Sequence, residues 1–487
     1  MHGDDAFQDP TTPVDAPFNA TFDAPVDAPV VRRSGRPRLR LLVGIAAGLL
    51  AAACTAKESK PEQPTIAAAS GGAHAPGDPA RPDGAERDPA APEASSAEAS
   101  DPAGTPTVDR AFLARCEAAS AYSLAEDGDF MLVLRDGEVL FEAGRAGMTS
   151  TTPHLLASGT KSFCGIAAAI AVDDGLLSLD ERVSDTIHEW KADPRKAAVT
   201  VRQLLSLASG LESLSAKIDN PRSAAANGIT DRAKASIEAA FRADPGERFI
   251  YGPSSFYVFD ELLRRKLAAA GTGDRDIVAY LERKVFAPLE ISPQFQRDPV
   301  GNPNMAGGGR IGARDWATFG EMVLDGGVAR GAADADGSRR RVVGEANLRE
   351  LLEPHGPNAR YGLTWWLLRE NDGDPESEVA AGLAADRLAS QEAEGPVRGA
   401  IRRRLADAAR ARADAAPTRT VDAPVEGFMA AGKGKQRLYI LPGDNLVVVR
   451  FGKLEGGRGF SDAEFLRLLL GERGTAPAGT APRPAQE

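Results

Sequence analysis

Two β-hairpin patterns lie near opposite ends of the region that this 487-residue chain is expected to fold. In the first, spanning residues 130–141, two apolar runs flank Asp136-Gly137, and Asp-Gly is a strong signal for a tight turn. The second spans residues 436–451 and has its turn at 443–445. Since helical patterns dominate between the hairpins, we predict an α+β domain over residues 108–471. Its antiparallel sheet is built from both chain ends and flanked by helices.

Helices are expected on the outer side of both hairpins, at residues 111–122 and 460–470. Helical patterns dominate from about residue 160 to 420, and we expect the fold to include an all-helical region beside the sheet. Residues 372–422 are charged, alanine-rich and short of large apolar side chains, so we interpret them as a helical insertion and not as a second catalytic domain.

The first 54 residues have the pattern of an export segment. A basic run at residues 32–40 precedes the apolar stretch 41–53, which is shorter than the roughly 20 residues that a transmembrane helix needs. The sequence Leu50-Ala-Ala-Ala-Cys54 resembles a bacterial lipobox, which predicts lipidation of Cys54 and an exported protein anchored to a membrane of the cell envelope. Ala51 replaces the commonest leucine, so cleaved soluble export and an uncleaved anchor remain alternatives.

The segment at residues 55–107 is expected to be a disordered linker. It is rich in proline, and Ile66 is its one aliphatic residue larger than alanine, so it cannot bury enough apolar surface to fold. The tail at residues 472–487 is expected to be disordered as well. The linker would hold a folded enzyme away from the membrane surface.

Charge and cysteine usage exclude several classes of partner. A net charge of −11 without a dominant basic stripe argues against nucleic acid. The cysteines are Cys54, Cys116 and Cys164, with no Cys-x-x-Cys or His-Glu-x-x-His pattern, so neither a metal nor another cofactor is predicted. A disulfide between Cys116 and Cys164 after export remains open. We expect a monomer.

A serine and a lysine three residues apart form the strongest candidate for a catalytic site. In Ser158-Gly-Thr-Lys161, at the start of a helix-forming run, the two side chains lie on one helix face. A serine is a poor nucleophile until a base takes its proton, and a lysine in a dry pocket can serve as that base. The helix N-terminus favours the negative charge of a developing oxyanion.

The order of further motifs resembles the serine hydrolase family that includes class C β-lactamases, penicillin-binding DD-peptidases and related esterases. The resemblance covers about residues 125–470 and depends on the order of motifs that are individually weak. They are the nucleophile motif at 155–163, structural signatures at 172–180 and 200–211, the tyrosine-bearing segment Pro245-Gly-Glu-Arg-Phe-Ile-Tyr251-Gly-Pro-Ser-Ser, the glycine-rich segment Ala306-Gly-Gly-Gly309 with Asp315, Tyr361-Gly-Leu-Thr-Trp365 and the closing hairpin.

The resemblance implies a role for each matching residue. Ser158 would attack a carbonyl and form an acyl-enzyme, and Lys161 and Tyr251 would share the acid and base steps. A tyrosine, with an ordinary pKa of about 10, acts as a base only beside a cation, and Lys161 is the candidate. The oxyanion hole would combine the Ser158 N–H with a backbone N–H from the strand at Gly432-Lys433-Gly434.

Two departures from the family pattern concern the substrate. The tyrosine motif is usually Tyr-x-Asn, but Pro253 stands at the third place and supplies no amide. The strand motif, usually Lys-Thr-Gly or His-x-Gly, reads Ala430-Ala431-Gly432, so a cation for a substrate carboxylate is missing unless Lys433 or Lys435 replaces it.

We therefore favour a carboxylesterase or amidase that acts on a small-molecule or peptide substrate. A β-lactamase or DD-carboxypeptidase is the alternative within the family, and an inactive binding lipoprotein of the same fold is the alternative of another class. In that last case Ser158 is an ordinary helix cap and Tyr251 a core aromatic residue.

Overall fold

The computed structural model describes residues 109–218, 221–333, 337–369, 379 and 426–471. The expectations for Cys54 and for residues 1–54, 55–107 and 472–487 lie outside these ranges, as does the helical insertion expected at 372–422 apart from Val379.

The described elements form a six-stranded main sheet, a three-stranded sheet, a two-stranded sheet and the helices around them. The strands are β1 Gly128–Arg135, β2 Glu138–Gly144, β3 His154–Leu155, β4 Gln294–Phe295, β5 Gly309–Ile311, β6 Val328–Ala333, β7 Arg339–Arg341, β8 Trp366–Leu368, β9 Gly427–Gly432, β10 Gln436–Leu441 and β11 Leu446–Gly452. The helices are α1 Arg110–Ala125, α2 Ser162–Asp173, α3 Pro194–Ala198, α4 Val201–Leu205, α5 Ser215–Ile218, α6 Pro221–Ala226, α7 Arg232–Ile237, α8 Ser254–Ala269, α9 Ile277–Leu281, α10 Ala313–Leu324, α11 Glu345–Leu351 and α12 Asp462–Leu470.

The main sheet joins the two ends of the folded region, as the hairpin patterns predict. Its strand order is β2-β1-β11-β10-β9-β8, and all neighbours are antiparallel. The register between β1 and β11 runs from Gly128 opposite Gly452 to Arg135 opposite Leu446. The first and last long strands therefore pair directly, and the α+β prediction is confirmed.

The two predicted hairpin turns form where the sequence places them. Asp136 and Gly137 have φ values of +55° and +85°, the left-handed conformations that a two-residue type I′ turn requires. The second hairpin turns through Pro442–Asp444 and ends at Asn445, whose φ is +52°. Asparagine tolerates this conformation better than most residues.

Helices cover both faces of the sheet. Successive residues of a strand point to opposite faces, and on β10 Arg437 contacts Asp462 of α12, while the next residue, Leu438, lies close to Gly320 of α10. The apolar core between these layers includes the fully buried Trp316. No helix within the described ranges combines the length and the apolar character needed to cross a membrane.

The two cysteines of the folded region are buried free thiols. Cys116 lies on α1 and Cys164 on α2, and the structure contains no bond between them. Burial raises the pKa of the Cys116 thiol to about 12. The disulfide that the sequence left open is therefore not formed here, and both residues act as small core side chains.

A buried ionic network connects α12 to the sheet. Arg437 Nε donates to Asp462 Oδ1 at 2.7 Å, and the Tyr439 hydroxyl donates to the same oxygen at 2.5 Å. Burial by itself raises the pKa of Asp462, but the charge and hydrogen bonds of Arg437 outweigh it, so the pKa lies below its usual value. The carboxylate is thus ionised at neutral pH inside the protein.

We predict that Asp462→Ala destabilises the protein by about 3–5 kcal/mol, because it leaves the buried Arg437 guanidinium without its counter-charge. Chemical denaturation at neutral pH measures this. Glu464→Ala, which removes an exposed partner of Arg467 from the same helix, is the matched control and should change the midpoint little.

The same comparison has a defined pH dependence. The pKa of Asp462 is lowered on folding, so the ionised carboxylate adds to the free energy of unfolding at neutral pH. This contribution is lost as the pH falls below about 4. Equal effects of Asp462→Ala and Glu464→Ala at neutral pH would contradict this account.

Candidate active site

The candidate nucleophile lies in a tight turn that precedes the helix. Residues Ala157–Lys161 form one 3-10 turn, and α2 begins at Ser162. The sequence predicted an α-helical start, but the 3-10 geometry brings residues i and i+3 closer still, because these side chains eclipse one another. Ala157 has a φ of +46°, which is uncommon for alanine and marks a strained entry to the turn.

Lys161 connects the serine to the protein interior. Its Nζ donates to Ser158 Oγ at 2.9 Å and to the Ala306 carbonyl at 2.6 Å. The same nitrogen lies 5.0 Å from the ring centroid of Tyr251 and 5.3 Å from that of Phe256, so two aromatic faces contact the cation. Lys161 is 4% exposed, whereas Ser158 is only half-buried and accessible to a substrate.

Tyr251 lies just ahead of α8, and its segment packs against the loop that contains Glu212 and Ser213. A side-chain carbon at Gly252 would come within 2.2 Å of Ser213 Oγ, so only glycine allows this close approach. Ser254 Oγ donates to the carbonyls of Glu212 and Ser213 at 2.6 and 2.9 Å. The local sequence Tyr-Gly-Pro-Ser thus packs the tyrosine segment against this loop and directs Tyr251 toward Lys161.

An aromatic cluster surrounds Tyr251. The ring of Trp366 stacks on it with centroids 6.1 Å apart, and Phe249 and Tyr361 complete the group. Trp365, by contrast, stacks in the core. Trp366 is therefore the tryptophan that lies beside Tyr251.

The end of β9 contacts the nucleophile turn. A side-chain carbon at Gly432 would lie 2.0 Å from the Leu156 carbonyl and 3.0 Å from the Gly159 nitrogen. Since β9 ends at Gly432, Lys433 and Gly434 lie in the turn between β9 and β10 and not in the strand itself. Glycine is required here because the two backbones meet.

The two lysines after β9 have different surroundings. Lys433 is exposed and forms an ion pair with Glu455, its Nζ 2.5 Å from the carboxylate. Lys435 is buried, and its charge helps to lower the pKa of Asp462 in the network beneath the sheet. Ala430, at the family's usual cation position, is buried and apolar. The expectation that Lys433 or Lys435 replaces that cation stays a prediction.

Arg450 holds the β9–β10 turn in place from below. Its Nη1 donates to the Lys435 carbonyl at 2.8 Å, its Nη2 to the Glu126 carbonyl at 2.8 Å and its Nε to Ser123 Oγ at 2.9 Å. The guanidinium carbon lies 4.0 Å from the ring centroid of Phe460. Burial lowers the pKa of Arg450 to about 10. The C-terminal end of α1 is thereby connected to the turn that follows Gly432.

Three side chains have the spacing of a metal site, but an arginine is paired with one of them. Glu350, Glu353 and His355 each place a ligand atom within 4.8 Å of the others. Arg202 pairs with Glu350, and its Nη1 lies 3.3 Å from His355 Nδ1. Because a guanidinium already neutralises the carboxylate, we interpret this group as an ion-pair network.

Sequence reasoning did not find the polar groups that hold the turn. Thr160 Oγ1 donates to the Ala157 carbonyl at 2.7 Å and accepts from Gly309 N at 2.9 Å. The Ala306 carbonyl that binds Lys161 is a backbone group, so no side-chain pattern marks it. The triple glycine that follows Ala306 was the signal available, because it permits close backbone approach.

The α+β fold, with Lys161 in contact with Ser158 and Tyr251, is the arrangement that the sequence resemblance implies. The beta-lactamase family model matches residues 113–471. The chain belongs to the beta-lactamase family.

Named relatives are similar over part of the chain. A 6-aminohexanoate-dimer hydrolase of Paenarthrobacter ureafaciens is 28% identical over 265 residues, which cover 50% of this chain and 66% of that protein, slightly less than two thirds. Protein flp of Staphylococcus aureus strain COL is 27% identical over 139 residues, 26% of this chain and 28% of flp.

A solved structure shares the fold. It comes from Bacillus anthracis and is provisionally named a 6-aminohexanoate-dimer hydrolase. Its TM-score is 0.50 at 17% identity, and the match covers 72% of this chain and 78% of that one. At this identity the likeness concerns the fold alone.

We predict that Gly432→Ala lowers hydrolysis of p-nitrophenyl esters by about 100-fold, since the added carbon forces β9 away from the nucleophile turn. Gly443→Ala is the matched control, because a side-chain carbon there meets nothing within 4 Å. Steady-state rates and melting temperatures of both variants measure the effect. Wild-type rates in a folded Gly432→Ala protein would contradict the contact.

Proposed function

We propose that the protein hydrolyses an ester or amide through an acyl-enzyme on Ser158, with Lys161 and Tyr251 as acid and base. The observation that carries the proposal is the 2.9 Å hydrogen bond between Lys161 Nζ and Ser158 Oγ at a site where the lysine is buried and the serine accessible. A preset contact of this kind suits nucleophile activation.

The proposed reaction has two steps. Ser158 Oγ attacks the substrate carbonyl, its proton passes to the Lys161–Tyr251 pair, and the pair returns a proton to the leaving alcohol or amine as the ester or amide bond breaks. Water then attacks the acyl-enzyme, gives up a proton to the same pair, and releases the acid as Ser158 regains its proton. The placement of Lys161 against the Tyr251 ring supports a shared role for the two residues.

The oxyanion hole in this proposal combines the Ser158 N–H with a backbone N–H from the segment Gly432-Lys433-Gly434. The close approach of Gly432 to Leu156 and Gly159 supports it, because it places the end of β9 beside the nucleophile turn. Two backbone donors fixed before the reaction stabilise the tetrahedral intermediate without reorganisation.

An ester or amide that is not held through a carboxylate is the substrate class that we favour. Ala430 is buried and apolar where a cation would hold a carboxylate, and Pro253 supplies no amide donor. The printed name of the Paenarthrobacter relative, a 6-aminohexanoate-dimer hydrolase, supports the inclusion of amides. A carboxylesterase or amidase activity is therefore preferred to an efficient β-lactamase or DD-carboxypeptidase.

A parallel screen tests the proposal with p-nitrophenyl esters, the 6-aminohexanoate dimer, nitrocefin and a D-alanyl-D-alanine peptide. We expect ester or amide turnover by the wild type, none above background for Ser158→Ala, and a loss of about 100-fold or more for Tyr251→Phe. Ser184→Ala, which removes a serine hydroxyl that donates to the Ala197 carbonyl, is the control and should keep wild-type rates.

The other outcomes separate the alternatives. Rapid turnover of nitrocefin or of the peptide, with slow ester hydrolysis, would favour the β-lactamase or DD-carboxypeptidase reading. If no substrate is turned over and no activated-serine probe labels Ser158, the result would favour the inactive binding lipoprotein of the same fold.

We also propose that the protein is exported and anchored through a lipid on Cys54. The lipobox-like sequence Leu50-Ala-Ala-Ala-Cys54 after a basic and an apolar segment supports this. The proline-rich residues 55–107 would then separate the enzyme from the membrane.

Detergent phase partition of the full chain expressed in a bacterium tests the anchor. We expect the wild type and Cys116→Ala in the detergent phase and Cys54→Ala in the aqueous phase, with a diacylglyceryl mass on the Cys54 peptide. An unmodified Cys54 in mature wild-type protein would contradict the anchor.

A further inference from the structure

We infer that Tyr257 and Asn304 are positioning residues for Lys161, and that they act through the loop 304–309. This inference rests on the proposed role of Lys161 in activating Ser158. Neither side chain belongs to a motif that the sequence marks as catalytic. Both are buried, Tyr257 at 1% and Asn304 at 4% exposure, and they meet directly behind the site.

The loop 304–309 is hydrogen-bonded to the nucleophile turn at three places. Leu156 N donates to the Gly309 carbonyl at 2.8 Å, and Gly309 N donates to Thr160 Oγ1 at 2.9 Å. Lys161 Nζ donates to the Ala306 carbonyl at 2.6 Å. The position of the ammonium therefore depends on where this loop holds its carbonyl.

Asn304 determines the shape of the loop. Its Oδ1 accepts from the Tyr257 hydroxyl at 2.7 Å and from Gly307 N at 3.1 Å. Its backbone N–H donates to the Gln296 carbonyl at 2.7 Å, and its carbonyl accepts from Gly308 N at 2.8 Å. These bonds curve the chain around Asn304 and direct the Ala306 carbonyl toward Lys161.

Gly308 and Gly309 are required by this curvature. A side-chain carbon at Gly308 would lie 2.6 Å from the Asn304 side chain, and one at Gly309 would lie 2.9 Å from Thr160 Oγ1. The loop therefore packs against its own asparagine on one side and against the nucleophile turn on the other. A small shift of Asn304 is transmitted to Ala306 because the loop has little room to adjust.

Helix α8 has two roles in this arrangement. Tyr251 precedes its N-terminus, and Phe256 within its first turns lies against Lys161 Nζ. Tyr257, the next residue, reaches Asn304. One rigid helix thus places an aromatic ring on the lysine and braces the loop that supplies the carbonyl acceptor.

The test compares two single-hydroxyl deletions at buried tyrosines, Tyr257→Phe and Tyr280→Phe. The Tyr280 hydroxyl donates to Asp174 Oδ2 at 2.8 Å, beyond the far end of α2, so its loss removes a similar bond away from the site. For Tyr257→Phe we expect kcat for p-nitrophenyl esters to fall about 10-fold with KM within about twofold, because the reacting groups are misplaced while binding is kept. Tyr280→Phe should keep kcat within about twofold at a comparable melting temperature.

The rate of covalent labelling of Ser158 by a fluorophosphonate probe is a second readout that needs no substrate. It should fall about 10-fold for Tyr257→Phe and remain unchanged for Tyr280→Phe. Asn304→Ala should lose at least as much as Tyr257→Phe, because it also removes the acceptor of Gly307 N. The double variant should be no slower than Asn304→Ala alone, since the bond to Tyr257 is already absent there.

Three results would overturn the inference: unchanged kcat and labelling in Tyr257→Phe, equal losses in Tyr257→Phe and Tyr280→Phe, or fully additive losses in the double variant. Failure of the proposed function looks different. In that case wild-type Ser158 is neither labelled nor needed for turnover, whichever tyrosine is present.

Discussion

The placement of the Lys161 side chain is the constraint on which the candidate site depends. A buried ammonium is costly unless hydrogen bonds and favourable fields replace its water. Here Ser158 Oγ, the Ala306 carbonyl and the rings of Tyr251 and Phe256 surround it. These four groups come from three parts of the chain, so the site exists only when the nucleophile turn, the segment leading into α8 and the glycine-rich loop are all in place.

The sheet has a corresponding role on the other side of the nucleophile. Its first and last long strands, β1 and β11, pair directly, and β10 and β9 follow β11 in the sheet. The end of β9 then places Gly432 against the Leu156 carbonyl. Arg450 and the pair of Arg437 with Asp462 fix the turn after Gly432 from the opposite face. Charges that contribute to stability below the sheet therefore also determine the position of the backbone donor proposed above it.

The sequence predicted those parts of the molecule that depend on local spacing. Asp136-Gly137 predicted the turn of the first hairpin, and the three-residue separation of Ser158 and Lys161 predicted the contact between their side chains. The hydrogen bond between Lys161 and Ala306 spans 145 residues and uses a backbone carbonyl, so no periodicity reveals it. Buried Arg437 was equally hidden, because charged residues are usually exposed and only the tertiary structure brings Asp462 to it.

The most direct test of the central claim is to trap the acyl-enzyme. Wild-type protein is mixed with a p-nitrophenyl ester, quenched in acid within the first turnovers, digested and mapped by mass spectrometry. The account predicts an added acyl mass on the peptide that contains Ser158, assigned by fragmentation to that hydroxyl. An acyl group on another residue, or turnover with no acylated Ser158 at any quench time, would contradict it.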